Sequence, residues 1–325
     1  MTGTIVDSAL PTYSEMLAAH DRIGPHIRRT PLRVSDYLSG LVGADVFFKC
    51  EMFQEPGAFK VRGAVNAVFG LEAARAAQGV ATHSSGNHAS CLSYAAMLRG
   101  IPCNVVMPRT APQAKKDTVR RYGGRITECE PSTSSREETF ARVQAETGGD
   151  FVHPYNDPRV IAGQGTCARE VVEQTGGVDV VLAPIGGGGM ISGTCLTLAT
   201  LAPETKVIAA EPEAADDAYR SFKAGRLIAD DAPKTIADGL LVPLKELTWH
   251  FVSTHVNDIL TVSEDEIVAA MKLLWKHLRV VAEPSSAVPF AALLKHKDRF
   301  QGQRVAIILT GGNVDLDRLP WSAAP

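Results

Sequence analysis

The sequence predicts an α/β protein of two lobes, with parallel or mostly parallel sheets flanked by helices, and three observations carry that prediction. Strand and helix patterns alternate between Gly79 and His153. A second alternation begins at Val178 and resumes late, at 305–309. Turns rich in glycine or small hydroxyl residues stand at strand ends in both stretches, where parallel sheets gather their ligands. The two alternations interleave, so the expected division is a large lobe from 1–72 and 155–325 around a small inserted lobe, 73–154, able to hinge.

The elements follow in order. Residues 12–23 read as a short amphipathic helix with Met16, Leu17 and His20 in register, closed by Gly24-Pro25. After an extended turn at 29–32, Ser35-Asp36 cap another short helix, and 46–50 form a compact strand. A helix entered at Lys60 runs through Ala67, Val68 and Leu71. Then come a strand at 80–82, a helix at 88–98, a strand at 104–107, a helix at 111–122, a strand at 125–128 and a helix at 135–147. The second series has a strand at 178–184, a helix at 191–201 after the glycines, and strands at 206–210 and 305–309. There is no internal repeat, low-complexity tract or long linker.

With 325 residues, 45% hydrophobic content and a net charge of −3, the chain buries a large core as an ordinary soluble protein. It has no block of like charges, and His26, Arg28, Arg29 and Arg33 are a scatter, so neither nucleic acid nor membrane is expected as a partner. Cys50, Cys91, Cys103, Cys129, Cys167 and Cys195 include no C-x-x-C pair, which argues for reduced core thiols. The start lacks a leader pattern and no apolar run reaches about 18 residues, so the cytoplasm is the expected compartment.

Chemistry centres on Gly57-Ala58-Phe59-Lys60-Val61-Arg62-Gly63-Ala64. An amine among small and aromatic neighbours is desolvated, which lowers its pKa from roughly 10.4 and readies it to condense with an aldehyde. For a lone lysine a surface helix start is the favoured reading, which the other segments overturn. Ile185-Gly186-Gly187-Gly188-Gly189-Met190 lies between a strand and a helix, where bare amides cradle a phosphate; a flexible turn is the plainer reading. The spacing fails G-x-G-x-x-G and lacks a Walker lysine, which weighs against a dinucleotide fold. Thr82-His83-Ser84-Ser85-Gly86-Asn87-His88 opens a helix at a strand end and suits a carboxylate or a simple cap. Thr310, before Gly311-Gly312-Asn313, offers a neutral hydroxyl. Glu211 and Asp217, with a carbonyl between, suit a hard cation or form a solvated acidic loop.

Together, in this order and over nearly the whole chain, these segments resemble the fold type II (tryptophan synthase β-like) pyridoxal-phosphate enzymes. The closer resemblance is to the serine/threonine dehydratase and serine racemase branch. It implies pyridoxal 5'-phosphate as cofactor, with Lys60 bound to its aldehyde. Gly186, Gly187, Gly188, Gly189 and Met190 hold the phosphate, Asn87 bonds the phenolic oxygen, Phe59 packs on the ring, and Thr310 faces the pyridine nitrogen. A neutral hydroxyl there does not enforce a pyridinium, which favours loss of a β-leaving group over transamination. The branch also implies a divalent cation, magnesium foremost with calcium or manganese as alternatives, on Glu211, the backbone of Ala215, and Asp217.

Ser84, Ser85, Asn87, His88, Arg136 and Tyr155 are the expected substrate contacts. Serine racemases carry Asn where Tyr155 stands, so a difference in substrate is expected at that point. Lys60 and Ser85 form the acid/base pair on opposite faces of the substrate. The overall likeness is greatest to 3-hydroxyaspartate dehydratases, which implies an ammonia-lyase releasing iminosuccinate, and oxaloacetate and ammonia after hydrolysis. A second carboxylate would call on Arg136, His83 and Tyr155. Serine racemase or L-serine/L-threonine dehydratase is the alternative, and a non-catalytic amino-acid sensor the distant one. The family implies a homodimer acting on a small hydroxy-amino acid, and the chain's length leaves no room for a carboxyl-terminal regulatory domain.

Overall fold

The computed structural model describes residues 10–228 and 233–322; the start, 1–9, read above as free of a leader, lies outside them. Ten strands run through this part of the chain. They are β1 (Leu32–Val34), β2 (Asp45–Cys50), β3 (Val80–His83), β4 (Cys103–Pro108), β5 (Arg125–Cys129), β6 (Asp150–Phe151), β7 (Val180–Pro184), β8 (Lys206–Pro212), β9 (Asp258–Val262) and β10 (Arg304–Leu309).

They make two sheets. The larger has the order β1-β2-β10-β7-β8-β9 and the smaller β5-β4-β3-β6. All pairings are parallel except β1 with β2, an antiparallel edge. Helices cover both faces of the large sheet, and its central strands are therefore apolar at successive positions. In β7, Val180 and Leu182 point into one core with Phe48 and Ile307, whereas Val181 and Ala183 point into the opposite core with Ala306 and Ile308. A third core, around Leu92 and Ala95 of the helix Asn87–Arg99 and Val105 and Met107 of β4, takes in Val61, Ala64 and Val65. The helix that follows Lys60 thus packs against the helix of the small-sheet side.

Local chemistry explains most element starts. Thr12 accepts from the Glu15 amide and Glu15 reaches back to Thr12, a capping box that opens the helix Tyr13–Ile23. Ser35 caps Asp36–Val42 through the Leu38 amide. All six cysteines are free and buried, and no helix among the described residues is long and apolar enough to cross a membrane.

Several elements go beyond the sequence reading: the helices Pro158–Thr175, Glu246–His255, Glu264–Leu273 and Pro284–Lys295, together with β9. The first matters most to the site. Its signals were present, with Asp157 as N-cap, Pro158 in the first turn and Gly176 in the left-handed conformation at the end. Its middle, however, is buried on nearly every side from Val160 to Ala168, so that Gly163, Gln164, Gly165 and Thr166 stand inside beside the apolar residues. Gly163 sits where an added Cβ would lie 2.7 Å from the Arg62 carbonyl oxygen, so the helix beginning at Lys60 approaches it backbone to backbone.

Candidate active site

The lysine segment is fixed from both ends before its amine does anything. Upstream, Ala58 bridges to Gly311 and the Phe59 amide donates to Thr310 O at 2.9 Å, which docks the segment on the end of β10. Downstream, Arg62 is fully buried. Its Nε and Nη2 reach the two oxygens of Glu51 at 2.7 and 2.8 Å, and its Nη1 reaches Glu170 at 2.8 Å. Lys49 completes a buried group of two cations and two anions by donating to Glu170 at 2.5 Å. Charges out of water persist only when so paired, and here the pairing anchors the first turn of the helix Lys60–Phe69.

Lys60 is half-buried, with Nζ donating to Pro154 O at 2.9 Å. Desolvation lowers its pKa to about 8, only weakly opposed by the Cys91 thiol. The start of its own helix, where amide dipoles carry partial positive charge, also disfavours the ammonium.

Two longer helices begin without a capping side chain on the same cavity, whose volume is about 500 Å³. One is Gly189–Leu201, entered from β7 through the glycine run, with Gly188 at φ 85° as its N-cap. The other is Asn87–Arg99, entered from β3 with Gly86 as N-cap. Uncapped amides leave donors for an anion. The glycines are required by space: a Cβ at Gly187 would lie 2.5 Å from the Tyr155 ring, and one at Gly186 would lie 2.7 Å from the Leu240 Cα.

Around these ends stand the other expected residues. Phe59, Ser84, Ser85, Asn87, His88 and Met190 line the cavity. Thr310, Arg136 and Tyr155 line it too, so the expected cofactor and substrate positions come together in one place. Asn87 has both ends of its amide held, Nδ2 donating to Glu283 at 3.0 Å and Oδ1 accepting from Asn313 Nδ2 at 2.8 Å. A second, longer bond from Nδ2 reaches the other Glu283 oxygen at 3.3 Å, and the orientation of the amide is thereby set. Glu283 is buried, and desolvation, with the charge of Asp238, pushes its pKa up to about 7. Thr310 meets the Ser286 hydroxyl at 3.1 Å. His88 is buried beside Val152 O at 3.1 Å and held neutral, its pKa lowered to about 3 mainly by desolvation. Burial raises the Tyr155 phenol to about 12.

The carboxylates expected to hold a cation lie at the end of β8, outside this cavity's lining. Glu211 is buried, its Oε1 accepts from the Tyr219 amide, and its Oε2 has no hydrogen-bond partner. Desolvation first, then the charges of Asp217 and Asp216, raises its pKa to about 9. Ala215 and Asp217 are buried beside it in sequence, across a short 3-10 turn. An orphaned carboxylate oxygen within an all-oxygen donor set fits a hard cation. No cluster of three His, Cys, Asp or Glu side chains exists among the described residues, so such a site would rest on two carboxylates and a carbonyl.

Sequence reasoning missed Glu283, Asn313, His153 and Lys245 as cavity residues or their supports. Glu283 precedes a proline at a helix start, a signal of structure and not of chemistry. Lys245 stands in a loop without glycines, and nothing local marks it.

An amine biased towards its neutral form, beside a cradle of bare amides that any Cβ would fill, defines a site for a phosphorylated aldehyde. The chain belongs to the family of pyridoxal-phosphate-dependent enzymes, whose model matches residues 23–311. It is 81% identical, over 96% of its length and 99% of the relative's, to the β-hydroxyaspartate dehydratase of Paracoccus denitrificans (strain Pd 1222). Identity is 49% to the serine racemase of Arabidopsis thaliana, covering 94% of this chain and 93% of that one. The structure of maize serine racemase superposes with a TM-score of 0.93 at 43% identity, covering 94% of this chain and 95% of that chain. The fold is thus the fold type II architecture, as the motifs implied.

Proposed function

We propose that this enzyme is an ammonia-lyase that removes water from 3-hydroxyaspartate to give iminosuccinate, which hydrolyses to oxaloacetate and ammonia. The observation that carries the reading is the 81% identity to β-hydroxyaspartate dehydratase across almost the whole of both chains. The serine racemase relatives, at 49% identity or less, support racemisation or dehydration of serine as the second reading.

Pyridoxal phosphate, when bound, acts as the electron sink that weakens the substrate's Cα–H bond. The chain's residues would do the rest. Gly186 to Met190 would hold the phosphate by main-chain amides, Phe59 would cover the ring, the Asn87 amide would bond the phenolic oxygen, and Thr310 would face the ring nitrogen. The open amides after Gly86, with Ser84 and His88, receive the α-carboxylate. With the cofactor bound, the Lys60 amine would be the group that takes the Cα proton of an L-configured substrate, and Ser85 that of a D-configured one. An amine with a pKa near neutrality is suited to that task, because an appreciable share is unprotonated. Arg136, His83 and Tyr155 serve the substrate's carboxylates.

We assign 73–154 to the small lobe and 1–72 with 155–325 to the large one, in keeping with the confinement of β3 to β6 to the former. We further infer a magnesium-class cation on Glu211, the Ala215 carbonyl and Asp217, and a homodimer acting in the cytoplasm. The deciding experiment measures kcat/KM for 3-hydroxyaspartate, serine and threonine on pure holoenzyme, with and without EDTA. A preference for 3-hydroxyaspartate of at least tenfold is expected. Equal or better use of serine would transfer the assignment to the second reading.

A further inference from the structure

Resting on the dicarboxylic reading above, we propose that Lys245 and Arg136 together form an anion pocket for the second carboxylate of the substrate. Lys245 is then a specificity-determining residue.

The charge inventory of the cavity leads there. Its lining carries the cations Lys60, Lys115, Arg136 and Lys245 and the acids Glu137, Asp238 and Glu283. Lys115 is paired with Asp238, and Glu283 is held by Asn87 and by the Asn313 amide. Glu137 is exposed. Lys60 is committed to the aldehyde. Arg136 and Lys245 remain, neither in an ion pair with another described residue, and the Arg136 Nε is buried with no hydrogen-bond partner. Arg136 comes from the helix Thr133–Thr147 and Lys245 from the residue preceding the helix Glu246–His255, so two separate elements bring them to one cavity.

Their charges meet at His83 and His153, each of which both cations depress after the larger effect of burial. These rings stand 6.0 Å apart and stay neutral, their pKa values lowered to about 4 and about 3. His153 has a defined tautomer. Its Nδ1 accepts from the amides of Asn156 at 2.9 Å and Tyr155 at 3.3 Å, so its proton sits on Nε2 as a donor. A neutral imidazole donor at His153, in the cavity that both cations also line, suits a carboxylate, which the cations attract and the ring N–H can bond. Serine, whose one carboxylate is assigned to the Gly86 turn, would leave the buried Arg136 Nε without a partner, whereas exposed Lys245 would keep its water. Discrimination then arises from charge left unpaired by the wrong substrate as well as from attraction to the right one.

The test compares wild type, Lys245→Met and Lys245→Arg as holoenzymes. The ratio of kcat/KM for 3-hydroxyaspartate over serine is expected to fall tenfold or more in Lys245→Met, chiefly through KM, and to recover in Lys245→Arg. Because Lys245 is exposed, circular dichroism should be unchanged. A second arm avoids turnover: succinate and butyrate are titrated against the cofactor's absorption band. Lys245→Met is expected to weaken succinate at least tenfold and butyrate less than twofold. A ratio that falls less than tenfold, or equal losses for the two acids, overturns the assignment of Lys245. Failure of the wild type to turn over 3-hydroxyaspartate would instead remove the substrate reading, and the succinate arm would still judge Lys245.

Discussion

Replacing Lys60 by methionine should make the cofactor-free protein more stable at neutral pH, although it removes the residue to which we assign the cofactor's aldehyde. In the unfolded chain this amine keeps its proton up to about 10.5, whereas in the fold desolvation lets it go near 8. Unfolding therefore takes up a proton between those values, and stability rises with pH across that window. Below about 8 the burden of enclosing the ammonium is present in full, about 3 kcal/mol for a shift of this size. Methionine has a similar length and no charge, but it leaves the Pro154 carbonyl without its donor, which costs about 1 kcal/mol. The net expectation is a gain of about 2 kcal/mol at pH 7 that shrinks nearly to zero by about pH 9.5, where the folded amine is already neutral and only about 1 kcal/mol of the burden remains to set against the lost Pro154 hydrogen bond. Urea unfolding of both apoproteins at the two pH values measures this. The difference between the two gains is the sharper quantity, since the Pro154 contribution cancels from it. A Lys60→Met apoprotein no more stable than wild type at pH 7, or a gain that does not change with pH, would refute the placement of a desolvated amine at this position.

Three other outcomes follow from the geometry. Arg62→Met leaves Glu51 and Glu170 facing one cation instead of two, and should cost about 3–5 kcal/mol of unfolding free energy, read from denaturant titration. Gly187→Ala drives a methyl group to within 2.5 Å of the Tyr155 ring. At about 1–3 kcal/mol for overpacking, equilibrium dialysis should show cofactor retention roughly 5- to 100-fold weaker, and adding Tyr155→Ala should restore part of it. Magnesium should raise the thermal midpoint more at pH 8 than at pH 6, because the cation must displace a proton from Glu211, held to about 9 in its absence; Glu211→Gln should abolish the increment.

Much of this protein was legible in its chain because the relevant physics is local. A strand that will be covered on both faces must be apolar throughout, as 180–183 are, and a backbone that must touch a ligand or a ring must be glycine, as 186–189 are. Short capping patterns such as Thr12 with Glu15 announce their helices wherever they occur. These features set the alternation of strands and helices, and through the order of the motifs they identified the family and pointed to Lys60 as its candidate cofactor lysine.

The fold itself decided what depends on neighbours distant in sequence. The helix Pro158–Thr175 is enclosed around Val160 to Ala168, where Gln164 and Thr166 are as buried as Ile161, so residue type there does not mark an inner face. Glu283 became a support for Asn87, 196 positions away, and Arg62 found Glu170 across 108. A desolvated amine, an orphaned carboxylate oxygen at Glu211 and two uncompensated cations at 136 and 245 are likewise properties of surroundings and not of residue type. Charge and burial act through space, so they are settled only when the chain has closed around them.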